Sequence, residues 1–188
     1  MRVEVIDYQD NWQAVKNRAM NTIGSESGKY PSSEWKRKIL LAEHSPIRLI
    51  EMTIRMHDIP YWVSVHLVRH KIGIEHWVST QRTDRTGVNR DELPQGALVD
   101  HTIRVNAQAL ITISRKRLCR QASKETQDVW RAVIQAVKEV EPELASVCHP
   151  DCIYRGFCPE MRGCSYIDSG LGKMELFSYH NGIAMAVK

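Results

Sequence analysis

Apolar and polar positions alternate with period two in two stretches, as expected for half-buried strands. Residues 2–8 alternate around Val3 and Val5 and predict a short strand. In IRLIEMTIRMHD, residues 47–58, Ile50, Met52, Ile54 and Met56 face one way while Glu51, Thr53 and Arg55 face the other. Such a division places the segment in an antiparallel sheet with one covered face. Other stretches carry helical spacing. Asp10 is placed to cap a helix running to about Met20, Ser33 to cap a second through SEWKRKILLAEH, and Pro60 to open a third. In that third helix Val63, His66, Leu67 and His70 share one face. From about Val105 to Val140 the pattern is again helical, with Val129, Trp130, Val133, Ile134, Val137 and Val140 as an apolar stripe. TIGSESGKYPSS and TDRTGVNRDELPQG read as loops, and residues 71–82 as a loop leading into a short extended piece. In KMELFSYHNGIAMAVK, Asn181-Gly182 between alternating runs predicts a hairpin with a type I′ turn.

The chain of 188 residues is long enough for one full core and short for two domains. The expected division is a domain over residues 1–145 and a cysteine-rich extension over 146–188 packed on it. An apolar share of 43% and a charged share of 26% are ordinary for a globular protein. The net charge of +4 permits an anionic ligand such as a nucleotide without demanding nucleic acid. No apolar run approaches the ~20 residues needed to cross a bilayer, and MRVEVIDYQDNWQAV lacks a signal-peptide core. A cytoplasmic protein with reduced cysteines is therefore expected, with no membrane partner.

Two clusters of cations change this bland picture: Arg69-His70-Lys71, and Arg115, Lys116, Arg117 and Arg120. A guanidinium grips phosphate in a bidentate fork. A generic charge run is a solvated face, but the first cluster ends an apolar helix. Cys148, Cys152, Cys158 and Cys164, with His149, are spaced C-x3-C-x5-C-x5-C. Zinc or an iron–sulfur cluster is conceivable there, yet the paired C-x2-C knuckles of a strong zinc pattern are missing. Buried free thiols are the preferred reading, Cys119 is assigned to packing, and no metal ligand is assigned.

Arg69-His70-Lys71 followed by seven residues and Ser79 resembles the signature of flavin-dependent thymidylate synthases, which is Arg-His-Arg, seven residues, Ser. His44-Ser45-Pro46 before a strand, IPYWVSVHLVRHK leading into the motif, RDELP at 90–94 and NAQALITISRKR at 106–117 extend the likeness in the same order, over roughly residues 20–140. The resemblance implies an α/β (α+β) fold, a twisted antiparallel sheet flanked by helices, in a homotetramer whose sites are shared between subunits. It implies methylation of dUMP at C5, with methylenetetrahydrofolate as one-carbon donor, FAD as cofactor and NADPH as reductant. No protein side chain would attack C6; the protein orients and supplies charge.

Carried over residue by residue, the resemblance puts His44, Arg69, His70, Lys71, Asn106, Gln108 and Gln121 at flavin-contacting positions, and Thr22 loosely so. His66, Arg69, Ser79, Gln81, Arg82, Arg90 and Arg117 fall at nucleotide-contacting positions. Ser79 meets the phosphate, Arg82 and Arg90 grip it, and Arg117 bonds a pyrimidine carbonyl, where a cation stabilises charge developing on the ring. Arg117 and Ser79 are the candidates for catalysis, although no acid–base relay beside Ser79 is legible. Taken singly, Ser79, His66 and Arg117 would be structural or surface residues; only their joint pattern argues otherwise.

The sequence also departs from the family. Lys71 replaces the second arginine and loses the fork. Trp77 stands where an acid or amide is common, Gln81 occupies the strict Ser-x-Arg position so that Arg82 is shifted by one, and Gln108 and Gln121 replace an arginine and a histidine. Only TDRTGVN separates Arg82 from Arg90, where the family has a long helical stretch. These departures motivate a second reading, a related methylase or hydroxymethylase acting on UMP or dUMP. A third, from another class, is a basic nucleic-acid-binding protein with a metal-bound tail; it leaves residues 67–82 unexplained.

Overall fold

The structure, a computed structural model, describes residues 1–25 and 28–187, with side chains through Asn181. In chain order the elements are β1 (Arg2–Tyr8), α1 (Trp12–Asn21), α2 (Ser33–Leu41), β2 (Glu51–Pro60), α3 (Tyr61–Leu67), β3 (Ile74–Val78), α4 (Thr83–Thr86), β4 (Leu98–Asn106), α5 (Ala107–Arg117), α6 (Lys124–Val140), α7 (Pro142–Ala145), α8 (Asp151–Arg155) and α9 (Gly170–Val187). The strands form one antiparallel sheet in the order β1-β2-β4-β3.

The alternation of β2 does what its pattern predicts. Met52, Ile54, Met56 and Ile59 are buried, and β4 presents Val99, His101, Ile103 and Val105 beside them. Helices α3, α5 and α6 pack near this side of the sheet, adding Val63, Leu67, Leu110, Ile113, Trp130 and Val133 to the core. The other side is polar. Arg104 pairs with Glu51 at 2.5 Å, Arg55 with Asp100 at 2.8 Å, and His57 bridges Glu4 and Asp100. Trp12, the first residue of α1, is fully buried and its indole donates to Glu141 at 2.8 Å; the Tyr8 hydroxyl donates to the same carboxylate. Glu141 is itself nearly buried, and desolvation raises its carboxyl pKa above the ordinary value.

Four expectations need correction. The segment from Val105 to Val140 is not one helix. The alternation of Val99, His101, Ile103 and Val105 makes 98–106 a strand, Asn106 caps α5 by accepting from Ala109 N at 2.9 Å, and Ser123 caps α6 after a break at 118–123. The C-terminal segment is not a hairpin: the backbone is helical through Val187, and Asn181-Gly182 lies within α9. Gly172, Glu175, Leu176 and Tyr179, at i, i+3, i+4 and i+7, form its packing face. A Cβ on Gly172 would lie 2.0 Å from the Tyr166 carbonyl oxygen, so this residue lets α9 dock. The caps of the early helices shift by a residue: Ser32 caps α2, Pro60 sits in the cap position of α3, and Asn11 precedes α1 while the Asp10 carboxylate accepts from Trp12 N at 3.1 Å. Lastly, the loop TDRTGVNRDELPQG contains the short helix α4.

Residues 146–187 pack on the rest through contacts of α8 with α5 and of α9 with α2, and α9 also packs on α8. A small second core of Cys152, Ile153 and Tyr179 with Cys158, Tyr166, Ile167 and Leu176 forms there.

Candidate active site

The apolar face of α3 delivers its end against the end of α5. Val63 and Leu67 are buried, His66 is half-buried, and the chain turns at His70, whose N–H bonds Leu67 O. Arg117, at the last position of α5, reaches across. Its Nε donates to His70 Nε2 at 2.8 Å and its Nη2 donates to His66 O at 2.7 Å. Because a guanidinium only donates, His70 must accept at Nε2 and is neutral in this arrangement. Its pKa is accordingly pushed down to about 4, first by burial and then by the charges of Arg117 and His76. Burial, and then Arg69, lowers the pKa of Arg117 as well.

A second tier of imidazoles supports this junction from the sheet. His76 Nε2 lies 2.8 Å from His70 O, and its Nδ1 lies 3.0 Å from His101 Nε2. A carbonyl can only accept, so His76 donates from Nε2, and a single proton is shared between its Nδ1 and His101 Nε2. His101 is fully buried, and burial followed by His76 brings its pKa to about 4; its Nδ1 is buried without a partner. His66 Nδ1 meets the buried Thr126 Oγ1 at 3.1 Å, and burial followed by Arg117 and Arg69 lowers its pKa. His101 and Thr126 were not singled out from the sequence, and His76 was given no role there. The alternation of His101 with apolar neighbours on β4 is the one signal that could have found it.

The motif residues divide into two groups along β3. Arg69, His70 and Lys71 precede it, and Ser79 follows it; a five-residue strand spans ~17 Å. At the first end, Arg69 and Lys71 are exposed and make no hydrogen bond or ion pair among the described residues, beside Ile72, which is 91% exposed. Gly73 makes the turn. Its φ is +72°, and a Cβ there would come within 2.5 Å of Asn106 Nδ2. At the other end, Ser79, Gln81, Arg82 and Arg90 line one groove of about 420 Å³ together with Tyr61 and Pro94. Arg82 grips Asp84 through two bonds, of 3.0 and 2.8 Å, and Arg90 lies 4.0 Å from Asp91. The Ser79 Oγ accepts from Asp100 N at 3.0 Å, which leaves its O–H free to donate.

Other candidates are engaged in the fold. Asn106 caps α5. Gln108 donates to Glu43, which also binds Arg115. Gln121 donates to Arg162 O at 2.7 Å. Thr22 bonds Ala19 O at the end of α1, and His44 is exposed before a 3-10 turn.

No family model and no curated protein matches the chain. Solved structures do. The flavin-dependent thymidylate synthase ThyX of Helicobacter pylori, complexed with FAD and dUMP, superposes with a TM-score of 0.65 at 14% identity, covering 79% of this chain and 100% of that one. A second structure of the same enzyme with FAD and dUMP gives 0.62 at 14% identity, over 81% and 98%. PolB, a UMP/dUMP methylase of Streptomyces cacaoi bound with 5-Br dUMP, gives 0.62 at 16% identity, over 82% and 94%. With its four-stranded antiparallel sheet, its helices and these neighbours, the chain has the fold of the flavin-dependent thymidylate synthases and of a related dUMP methylase.

Proposed function

We propose that the protein is a flavin-dependent pyrimidine nucleotide methylase that converts dUMP to dTMP. The observation that carries this reading is the convergence of Ser79, Arg82 and Arg90 on one groove, within a fold shared with two dUMP-binding enzymes. Two arginines and a hydroxyl with a free proton form a recognition set for a monoester phosphate. On binding, the phosphate takes the place of Asp84 on Arg82.

Arg117 belongs to the base. Its Nε and Nη2 are committed to His70 and His66 O, while Nη1 has no protein partner among the described residues and is free to donate to a pyrimidine carbonyl. Held by two bonds and half-buried, this cation is preorganised to stabilise negative charge on the ring. Neutral His70 keeps it in place and adds no second positive charge.

The first end of β3 fits FAD. Arg69 and Lys71 are unpaired cations suited to its phosphates, next to the exposed Ile72 and the half-buried His70. When bound, FAD supplies the hydride and mediates transfer of the one-carbon unit from methylenetetrahydrofolate, with NADPH as reductant. Gln108 and Gln121, tied to Glu43 and to Arg162 O, contribute no free side-chain donor in this arrangement. The separation of the two half-sites along β3 supports a homotetramer in which a neighbouring copy closes each site.

The test is direct. Purified protein is mixed with FAD, excess cofactor is removed, and the retained flavin spectrum is recorded; dUMP, methylenetetrahydrofolate and NADPH are then added and the product is weighed by mass spectrometry. Retained flavin and a mass gain of one methyl group on dUMP are expected. A colourless protein that leaves dUMP unchanged overturns the reading. UMP is run in parallel because of the likeness to PolB and because Trp77 is 55% exposed, away from the core.

A further inference from the structure

The cysteines of the extension are free thiols, but not all are buried: Cys148 and Cys152 are, Cys158 is half-buried and Cys164 is exposed. Among the described residues no three His, Cys, Asp or Glu side chains are placed to hold one metal ion. What the extension does form is a cleft of about 430 Å³ between itself and α6, within the range of small-molecule sites. No residue of this cleft lines the groove of Ser79, Arg82 and Arg90, and none belongs to the junction of Arg117 with His70.

Three cations edge the cleft: Arg120, and Arg131 and Lys138 on one face of α6. Exposed cations are usually solvated singly. These converge on one concavity whose walls include Leu118, Ile134, Pro142 and Pro150. Arg120 lies with its guanidinium over the Tyr166 ring, 4.1 Å from the centroid. Neither Arg120 nor Lys138 makes a hydrogen bond or ion pair among the described residues. Arg131 donates through Nη1 to Asp128 and through Nη2 to Gln127, which leaves Nε. The one acid of the cleft, Glu175, is already engaged: the Tyr166 hydroxyl donates to one oxygen at 2.5 Å, and His149 Nδ1 meets the other at 2.6 Å. Among the described residues it pairs with none of the three cations.

We propose that this cleft binds a small organic anion, a phosphate or carboxylate carried on a flat apolar body. The anion takes its hydrogen bonds from the edge of the Arg120 guanidinium and from Lys138, charge-assisted bonds about twice as strong as neutral ones. Tyr166 holds the guanidinium plane, so little side-chain freedom is lost when the anion arrives. The body of the ligand covers Leu118, Ile134 and Pro142 and removes them from water. Apolar walls beside a positive rim also focus the field on an incoming anion. Leu118 directly follows Arg117, Ile134 belongs to α6 and Tyr166 to the extension, so an occupant ties the extension to the rest of the fold and to the end of α5.

The test uses the whole protein without flavin or nucleotide. Phenyl phosphate and benzoate are titrated by calorimetry, beside inorganic phosphate and acetate, the same headgroups without the ring, and neutral benzyl alcohol. A saturable site for at least one of the two aromatic anions is expected, and the tighter of them identifies the headgroup. Arg120→Gln and Lys138→Gln should each weaken binding about tenfold or more, the usual cost of a charge-assisted bond. Both residues are exposed, and Lys138→Gln changes only a charge on a helix surface. Arg82→Gln should keep the site. No saturable binding, binding unaltered in both cation variants, or equal binding of benzyl alcohol or of the bare headgroup overturns the proposal. So does its loss in Arg82→Gln, which would put the anion in the nucleotide groove. If a second copy covers the cleft instead, neither anion binds and Lys138→Glu dissociates the oligomer, which also overturns it. None of these readouts depends on flavin or dUMP, so this proposal and the methylase reading fail separately.

Discussion

Arg117 and His70 show how a single contact sets the chemistry of a site. The guanidinium needs an acceptor, so the imidazole is kept neutral, and burial reinforces the choice. Arg117→Ala is expected to leave FAD bound while turnover falls by about 10²–10³-fold, the usual cost of removing a preorganised donor; unchanged turnover would remove Arg117 from the mechanism. The histidines also make stability depend on pH. His70 and His101 have folded-state pKa values near 4, below their ordinary 6.5, so between these values the unfolded chain binds more protons. Stability is therefore full above about pH 6.5 and declines as pH falls toward 4. For the fully buried His101 the loss is on the order of 3 kcal/mol. Urea midpoints at pH 7 and pH 5 should differ in the wild type, and the difference should shrink in His101→Asn.

At the level of elements, the turn between α3 and β3 has a narrow tolerance. Gly73 holds a positive φ against the Asn106 side chain, which in turn caps α5, the helix that carries Arg117. Gly73→Ala adds both backbone strain and a clash, and should cost ~2 kcal/mol in urea unfolding along with a loss of turnover. Helix α3 and strand β2 were legible in the sequence because their periods are local and unbroken. Strand β4 was not assigned, since His101 interrupts its apolar alternation and the helical spacing beyond Asn106 dominates the window. Helix α9 was misread because Asn181-Gly182 is a strong local turn signal. The packing of Gly172 and Tyr179 against the 152–167 region outweighs it.

For the whole molecule, the consequence is that the proposed site falls into two halves. The groove with Ser79, Arg82 and Arg90 and the junction of Arg117 with His70 lie at opposite ends of β3. If neighbouring copies pair the halves, chains carrying Arg117→Ala mixed with chains carrying Arg82→Ala should regain activity that neither has alone. Light scattering should report four chains. A monomer, or a mixture that stays inactive, would place both halves in one chain.

The order of motifs along the chain, the charged end of α3 and the alternation of β2 were fixed by local spacing, which the sequence displays directly. Fold class and most candidate residues came from the family resemblance that those motifs carry. Which of those residues share a groove, which are spent on capping α5 or binding Glu43, and which side chains edge the cleft beside the extension depended on contacts between residues dozens of positions apart. Arg120 meets Tyr166 only because α5 packs on α8, and no spacing rule along the chain encodes that approach.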